Sequence, residues 1–376
     1  MSRDGAVMSS PIWRTLVACG LTALLVTACG GEDPAAEGDA DGGAGTGESP
    51  SPEAAGEQGD GGEPAGETIS WDYMMVLPVS HLFTQRAEAF ADEVRERTDG
   101  QLDITVRPAG ELPYGPDEFL RRTGDGSVAL SQAPSTFIAG DCAIAGLPAL
   151  PFLLTSIEEL QAAESILEPY LNDCFEQRGA RLLYWNYFPN QQFWGGGEAV
   201  TSLDGLSGLQ IRQTGAEYAA LIELLGAEPV TLTTPEVAPA IQRGVMDALI
   251  TAGLTVTGSQ WHEFLEWGYL IDMGLPPDYI LISQEAYEGL PEDVGATLDE
   301  IAAEFQGRAV EENQATEQES LDVLETEHGL TLTEASEEDT QRATELMTSY
   351  WEEWAQERGE ATLGEALAEV REAVGK

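Results

Sequence analysis

Hydrophobic and polar positions change their pattern several times along this chain, and each change marks a boundary. Leu16 to Val26 is an apolar run, preceded by Arg3 and Arg14 and followed by Thr27-Ala28-Cys29. From Gly30 to about Glu67 the chain is almost entirely Gly, Ala, Glu, Asp, Pro and Ser. Without large apolar side chains that stretch has nothing to bury, so residues 29–67 are expected to be an acidic linker. Periodic patterning starts at Ile69. Ile69 to Leu77 has the composition of a strand, and Phe83, Ala87, Phe90, Ala91 and Val94 recur at helical spacing in Leu82 to Thr98. Asp99-Gly100 ends that helix, and Leu102, Ile104 and Val106 alternate with polar residues as in a second strand. A helix over Asp117 to Arg122 and a short strand over Ser127 to Gln132 follow.

A second unit repeats the alternation. Leu209-Gln-Ile-Arg212 alternates, Ala216 to Leu225 is helical and closes at Gly226, and Glu228 to Leu232 is extended. Thr234 followed by Pro235 predicts an N-cap and a first-turn proline, and Gly244 ends that helix before a strand over Val245 to Thr251. Beyond Asp293 helical patterns dominate, with acidic amphipathic runs at Ala296 to Glu327 and Glu338 to Ala355. Strands alternating with helices of this length point to an α/β fold of mixed sheets flanked by helices, whose ligands gather at the carboxyl ends of strands.

The charge narrows the function. The 376 residues carry a formal net charge of -50, with 17 Lys and Arg against 67 Asp and Glu. Such a surface repels nucleic-acid phosphates, so no nucleic-acid partner is expected. It also means that an anionic ligand must be captured by a locally placed cation against the average field. The N-terminal pattern resembles a bacterial lipoprotein signal: small residues precede the cut, and the Cys29 thiol is the acyl acceptor. The expected organisation is a signal peptide over residues 1–28, lipidation at Cys29, and anchoring at the outer face of the cell membrane. An apolar run this short falls below the ~20 residues of a membrane-spanning helix. Cys142 and Cys174 remain as either a disulfide, expected outside the cytoplasm, or two buried thiols.

Catalytic constellations are scarce, and no enzyme is expected. The histidines are His81, His262 and His328, too scattered for a metal cluster, and neither a Gly-x-Ser-x-Gly elbow nor a phosphate-cradling loop occurs. His262-Glu263-Phe-Leu-Glu266 places a histidine and a glutamate on one expected helical face but lacks the second histidine of the zinc-protease motif. The Asp39-Ala-Asp41-Gly stretch lacks the glutamate of a calcium loop. No cofactor and no metal are expected. Arg212 stands apart: it closes a strand on the face opposite Leu209 and Ile211, just before Gln213-Thr-Gly215. A guanidinium there can hold a carboxylate by two parallel charge-assisted hydrogen bonds, each worth roughly 1.5 to 3 kcal/mol.

A family resemblance strengthens this reading. Leu203-Asp-Gly-Leu-Ser-Gly-Leu-Gln-Ile-Arg212, Leu225-Gly-Ala-Glu-Pro-Val230, Pro235-Glu-Val, Ala240-Ile-Gln-Arg-Gly244 and Val245-Met-Asp247 resemble the extracytoplasmic solute receptors of tripartite ATP-independent periplasmic (TRAP) transporters, of DctP type. The resemblance extends upstream through Phe90-Ala-Asp-Glu-Val, Gly100-Gln-Leu, Pro108-Ala-Gly-Glu-Leu112 and Leu147-Pro-Ala-Leu-Pro-Phe152. It implies a two-lobed periplasmic-binding-protein-like fold with the ligand cleft between lobes and a helical C-terminus. Lobe I is expected over 68–189 with 277–317, and lobe II over 190–276 with 318–376. It further implies a monomer that captures a small organic acid and hands it to membrane permease subunits, with Arg212 at the family's selectivity arginine. A ligand-sensing lipoprotein that signals through a membrane partner is the alternative. The sequence departs from the family where a second arginine often stands, near Gln191 or Gln192, and where an asparagine often stands, at Thr251. Both departures argue against a second anionic group on the ligand. Around Arg212 the expected ligand-binding set comprises Tyr187, Asn190, Trp194, Gln213, Thr251 and Trp261, with Glu118 from lobe I. One arginine among aromatics suggests an amphipathic or ring-bearing carboxylate.

Overall fold

A computed structural model describes residues 68–358 and 361–376. The expected signal peptide, Cys29 and the acidic linker lie outside the described residues. Among the described residues no helix is long and apolar enough to cross a membrane, and no cluster of His, Cys, Asp or Glu is arranged to hold a metal ion.

The first stretch runs β1 (Ile69–Met74), α1 (Leu82–Arg97), β2 (Leu102–Arg107), α2 (Phe119–Gly124), β3 (Leu130–Pro134), α3 (Ser135–Ile138), α4 (Ala143–Gly146), α5 (Ile157–Glu176) and β4 (Ala180–Tyr187). The second runs β5 (Gln192–Gly195), β6 (Gln210–Gln213), α6 (Ala216–Leu224), β7 (Glu228–Thr231), α7 (Thr234–Gln242), β8 (Ala248–Thr251), α8 (Gly253–Gly258) and β9 (Trp267–Leu270). The chain then crosses back into β10 (Pro277–Ser283), α9 (Gln284–Glu288) and α10 (Glu292–Thr326), and ends with β11 (Thr331–Glu334), α11 (Glu337–Glu357) and α12 (Ala361–Val374).

These strands make two mixed sheets, one ordered β2-β1-β3-β10-β4 and the other β11-β9-β5-β8-β6-β7. In the first, β1 is parallel to β2 and β3, while β10 returns antiparallel between β3 and β4. In the second, β6 is parallel to β7 and β8, and β5 runs antiparallel to β8 and β9. Two crossing segments join the sheets and bond to each other: Phe188 N donates to Pro276 O, Gln191 N to Gly274 O, and Met273 N to Gln191 O, at 3.0 Å each.

Local chemistry accounts for the element ends. Apolar residues at every third or fourth position of α1 are the buried ones, Phe83, Ala87, Phe90, Ala91 and Val94. The helix after β7 is capped one residue earlier than expected, by Thr233 instead of Thr234. Glu236 reaches back to the Thr233 amide and hydroxyl at 2.8 and 2.6 Å, a capping box that needs its acid three residues into the helix, which moves Pro235 to the second helical position. His262 and Glu263 lie in a single 3-10 turn, Trp261–Glu263, and not on a longer helical face. That turn starts from Gln260 in the left-handed region, which breaks helical continuity with α8. The last helix packs against both α5 and α11. Cys142 and Cys174 form a disulfide that ties the start of α4 to α5.

Candidate functional site

Where the two halves face each other, the carboxyl ends of four strands converge on a cavity of about 50 Å3. Val76 and Leu77 come from the segment after β1, Pro134 and Phe137 from the end of β3 and from α3, Arg212 and Thr214 from β6 and its exit, and Ile250 and Thr251 from β8. Tyr218 on α6, Thr234 on α7, Thr255 on α8 and Trp261 complete the second half's wall, and Phe188, Gln191 and Pro276 enter from the crossing segments. A volume of that size holds only a few water-sized groups. Direct contacts span its edges: the Thr136 hydroxyl donates to Thr214 Oγ1 at 2.9 Å, and the Ser80 hydroxyl donates to Gly258 O at 2.6 Å. The halves are therefore closed on each other.

Among the described residues, Arg212 is the sole charged one in the lining. It is 2% exposed, and its Nε donates to Leu232 O at 2.9 Å. Its terminal nitrogens have no carboxylate partner among the described residues. The guanidinium carbon lies 5.7 Å from the centroid of the Trp261 ring, a cation-π contact. Burial lowers the group from the ordinary arginine range to about 10, and Glu236 offsets this only in part. A buried arginine without a counter-ion is costly unless something else supplies the negative charge. Chemically, the cavity offers one cation, aromatic walls, and hydroxyls from Thr214, Thr234, Thr251 and Thr255 to an anion with a compact body.

Of the residues singled out in the sequence, Arg212, Thr251 and Trp261 line this cavity. The others stand nearby or elsewhere. Gln213 alternates to the opposite face of β6 and donates to Thr231 Oγ1 at 2.7 Å. Trp194 is fully buried behind the wall, where its indole N–H holds Thr251 O at 2.9 Å. Asn190 turns away to Thr155 O at 3.1 Å, and Tyr187 is buried at the end of β4 with its carbonyl accepting from Asn313. Glu118 caps a turn, accepting from Gly115 N and pairing with Arg122 at 2.8 Å, outside the lining. Some of the remaining lining residues are immediate neighbours of those named: Phe188 beside Tyr187, Gln191 beside Asn190, Thr214 beside Gln213. Val76, Leu77 and Pro134 carried a usable signal, since they stand at or just past the carboxyl ends of β1 and β3, as Arg212 stands near that of β6.

A smaller cavity, about 20 Å3, lies inside the first half beside Asp278. The Asp278 carboxylate accepts from Gln132 Nε2 at 2.8 Å and Asn186 Nδ2 at 3.1 Å through one oxygen, while the other has no protein partner. Burial pushes this carboxyl up to about 7.

Comparisons with known proteins bear on the same body. The profile of a family described as bacterial extracellular solute-binding protein, family 7, matches residues 73–357. The C4-dicarboxylate-binding periplasmic protein DctP of Rhodobacter capsulatus is 26% identical over 297 residues, 76% of this chain and 86% of that one. The uncharacterized protein YiiZ of Salmonella typhimurium is 26% identical over 203 residues, which span 53% of this chain and 61% of that protein. Among solved structures, DctP7 of Bordetella pertussis, an extracytoplasmic solute receptor binding pyroglutamic acid, superposes with a TM-score of 0.76 at 24% identity, over 81% of this chain and all of that one.

Proposed function

The chain belongs to the bacterial extracellular solute-binding protein family 7, whose members are solute receptors and not enzymes, and on that premise we propose that it captures a compact organic acid bearing a single carboxylate. The observation that carries this reading is Arg212: a guanidinium 2% exposed that, among the described residues, makes no ion pair and faces a cavity lined by no other charge. A C4-dicarboxylate needs a second cation, and the lining has none. Phe137, Phe188, Tyr218 and Trp261 suit an apolar or ring-bearing body. Pyroglutamic acid, the ligand of the Bordetella DctP7 receptor, has that chemistry: one carboxylate on a small lactam ring. The family's role implies delivery to TRAP permease subunits, and Cys29 is the proposed point of lipid attachment to the membrane.

Thermal unfolding of the purified protein against monocarboxylates, dicarboxylates and sugar acids tests this. A ligand at a hundred times its dissociation constant adds about 2.7 kcal/mol. The expected result is stabilisation by a small monocarboxylate such as L-pyroglutamate and little by succinate. A response to neutral or cationic solutes alone would sink the assignment.

A further inference from the structure

The first half docks on the wall of the cavity through the N-terminus of α1. His81 caps that helix with its side chain: the Phe83 amide donates to His81 Nδ1 at 3.1 Å. A nitrogen that accepts carries no proton, so in the neutral ring the proton sits on Nε2. Nε2 lies 3.3 Å from Thr255 Oγ1 on α8, across the cleft. Thr255 is a cavity-lining residue, and His81 is the side-chain partner of its hydroxyl among the described residues. Because His81 donates to that oxygen, the hydroxyl hydrogen of Thr255 is left to point elsewhere, and the cavity is the space beside it.

We propose that His81 is a positioning residue that makes Thr255 a hydrogen-bond donor to an acceptor oxygen of the captured acid, and that capture therefore requires a neutral His81 imidazole. This deepens the receptor reading given above and rests on it. The ring is fully buried where the halves meet. A Cβ added to Gly258 would stand 2.8 Å from His81 Cδ2, so α8 closes directly onto the imidazole. A protonated ring cannot accept from Phe83, and it would be an extra cation sealed in the interface. Arg86, on the same helix, opposes such a charge and is itself paired with Glu312 at 3.1 Å. On the α8 side Glu317 has its two oxygens spent on the amides of Gly253 and Leu254 at 2.8 and 2.7 Å. Burial accordingly drives His81 down to about 3, with Arg86 adding to the fall.

Opening the cleft exposes the Nε2 edge of the ring to water and moves it back toward its ordinary value of about 6.5. The closed state thus binds fewer protons than the open one and loses ground as pH falls below that value. Affinity should weaken about tenfold between pH 7.5 and pH 5.5. Asp278 and Glu317 also titrate near neutrality, but both stay in every variant, so His81 variants isolate the effect.

Two measurements test the proposal. Imidazole nitrogen NMR of the free protein reads the tautomer without any ligand, because the Phe83 bond lies within one half: the Nε2–H form is expected, and an Nδ1–H form would overturn the proposal. Calorimetric titration with L-pyroglutamate at pH 7.5 and 5.5 reads the coupling. The wild type should weaken about tenfold, Thr255→Val should bind at least tenfold more weakly at both pH values, and His81→Gln, which keeps an N–H near the place of Nε2, should lose less affinity than His81→Leu and show a pH ratio near one. A tenfold fall retained in His81→Gln, or unaltered binding by Thr255→Val, would refute it. Absence of pyroglutamate binding by the wild type at pH 7.5 would instead count against the receptor assignment, leaving the tautomer to decide the rest.

Discussion

Replacing Arg212 by methionine separates a binding role from a structural one, because the two predict opposite signs for stability. The guanidinium is held in a closed cavity with one backbone acceptor, Leu232 O, and no carboxylate partner among the described residues. Its fall to about 10 corresponds to a cost on the order of 3 kcal/mol for keeping the charge there. Methionine fills much of the same volume without that charge, and such replacements of buried ions are commonly neutral or stabilising by about 1–4 kcal/mol. The ligand-free Arg212→Met protein is therefore expected to melt at or above the wild-type temperature, by about 2–4 °C for each kcal/mol gained. Its response to the acid should vanish, since two charge-assisted hydrogen bonds at roughly 1.5 to 3 kcal/mol each amount to a loss of 100-fold or more in affinity. Scanning calorimetry with and without L-pyroglutamate reads both quantities in one experiment. A variant that melts several degrees lower and still responds to the acid would show that Arg212 holds the fold and that the cavity recognises its ligand by other means.

Further predictions concern the rest of the body. Asp278→Asn should stabilise the protein by roughly 2–4 kcal/mol at pH 8 and by less than half as much at pH 5: the folded state holds the Asp278 proton up to about pH 7, so the wild type loses stability as pH rises from the unfolded value near 4 through that range, which urea unfolding at both pH values would show. Cys142→Ala with Cys174→Ala opens a loop closed across 32 residues and should cost about 3–4 kcal/mol, measurable as a shifted denaturation midpoint with an unchanged ligand affinity. Gly258→Ala should weaken capture about tenfold or more while leaving each sheet intact, because the new methyl group meets His81 before the halves close; small-angle scattering with ligand present should find a more open particle, and a fully closed one would disprove the contact.

The sequence revealed the elements whose two faces differ. The helix over Leu82–Arg97 and the strand over Leu102–Arg107 have one wet side each, and their periods of 3.6 and 2 survive in the burial pattern. The strands at the join carried no such signal. β4, β5, β9 and β10 are buried for most of their length, and their runs of aromatic and aliphatic residues have no polar counterpart to beat against. The site was legible to the extent that strand ends were. Arg212 and Thr251 stand at the carboxyl ends of β6 and β8 and line the cavity, as do Val76 and Pro134 at those of β1 and β3, which carry neither charge nor an unusual side chain to mark them along the chain. Trp194 and Tyr187 lie outside the lining for a related reason: a large aromatic signals a buried position, but burial behind a wall and burial within it look the same along the chain. His81 was no more than a scattered histidine until the helix it caps and the threonine it meets were placed together.

The 35-residue helix α10 has a mechanical consequence. Asp299, Gln306 and Asn313 fasten it to the first half, through Arg181, the Trp185 amide and the Tyr187 carbonyl, while Glu317 and Ser320 fasten it to the second, through the Gly253 and Leu254 amides and Thr257. The two sets of rivets are four residues apart at their closest, about 6 Å of helix at 1.5 Å per residue. Any rotation that parts the jaws must flex the rod inside that single turn or pull a rivet. The helix thus lies like a leaf spring across the joint, and the turn between Asn313 and Glu317 is where relative movement of the halves would load it.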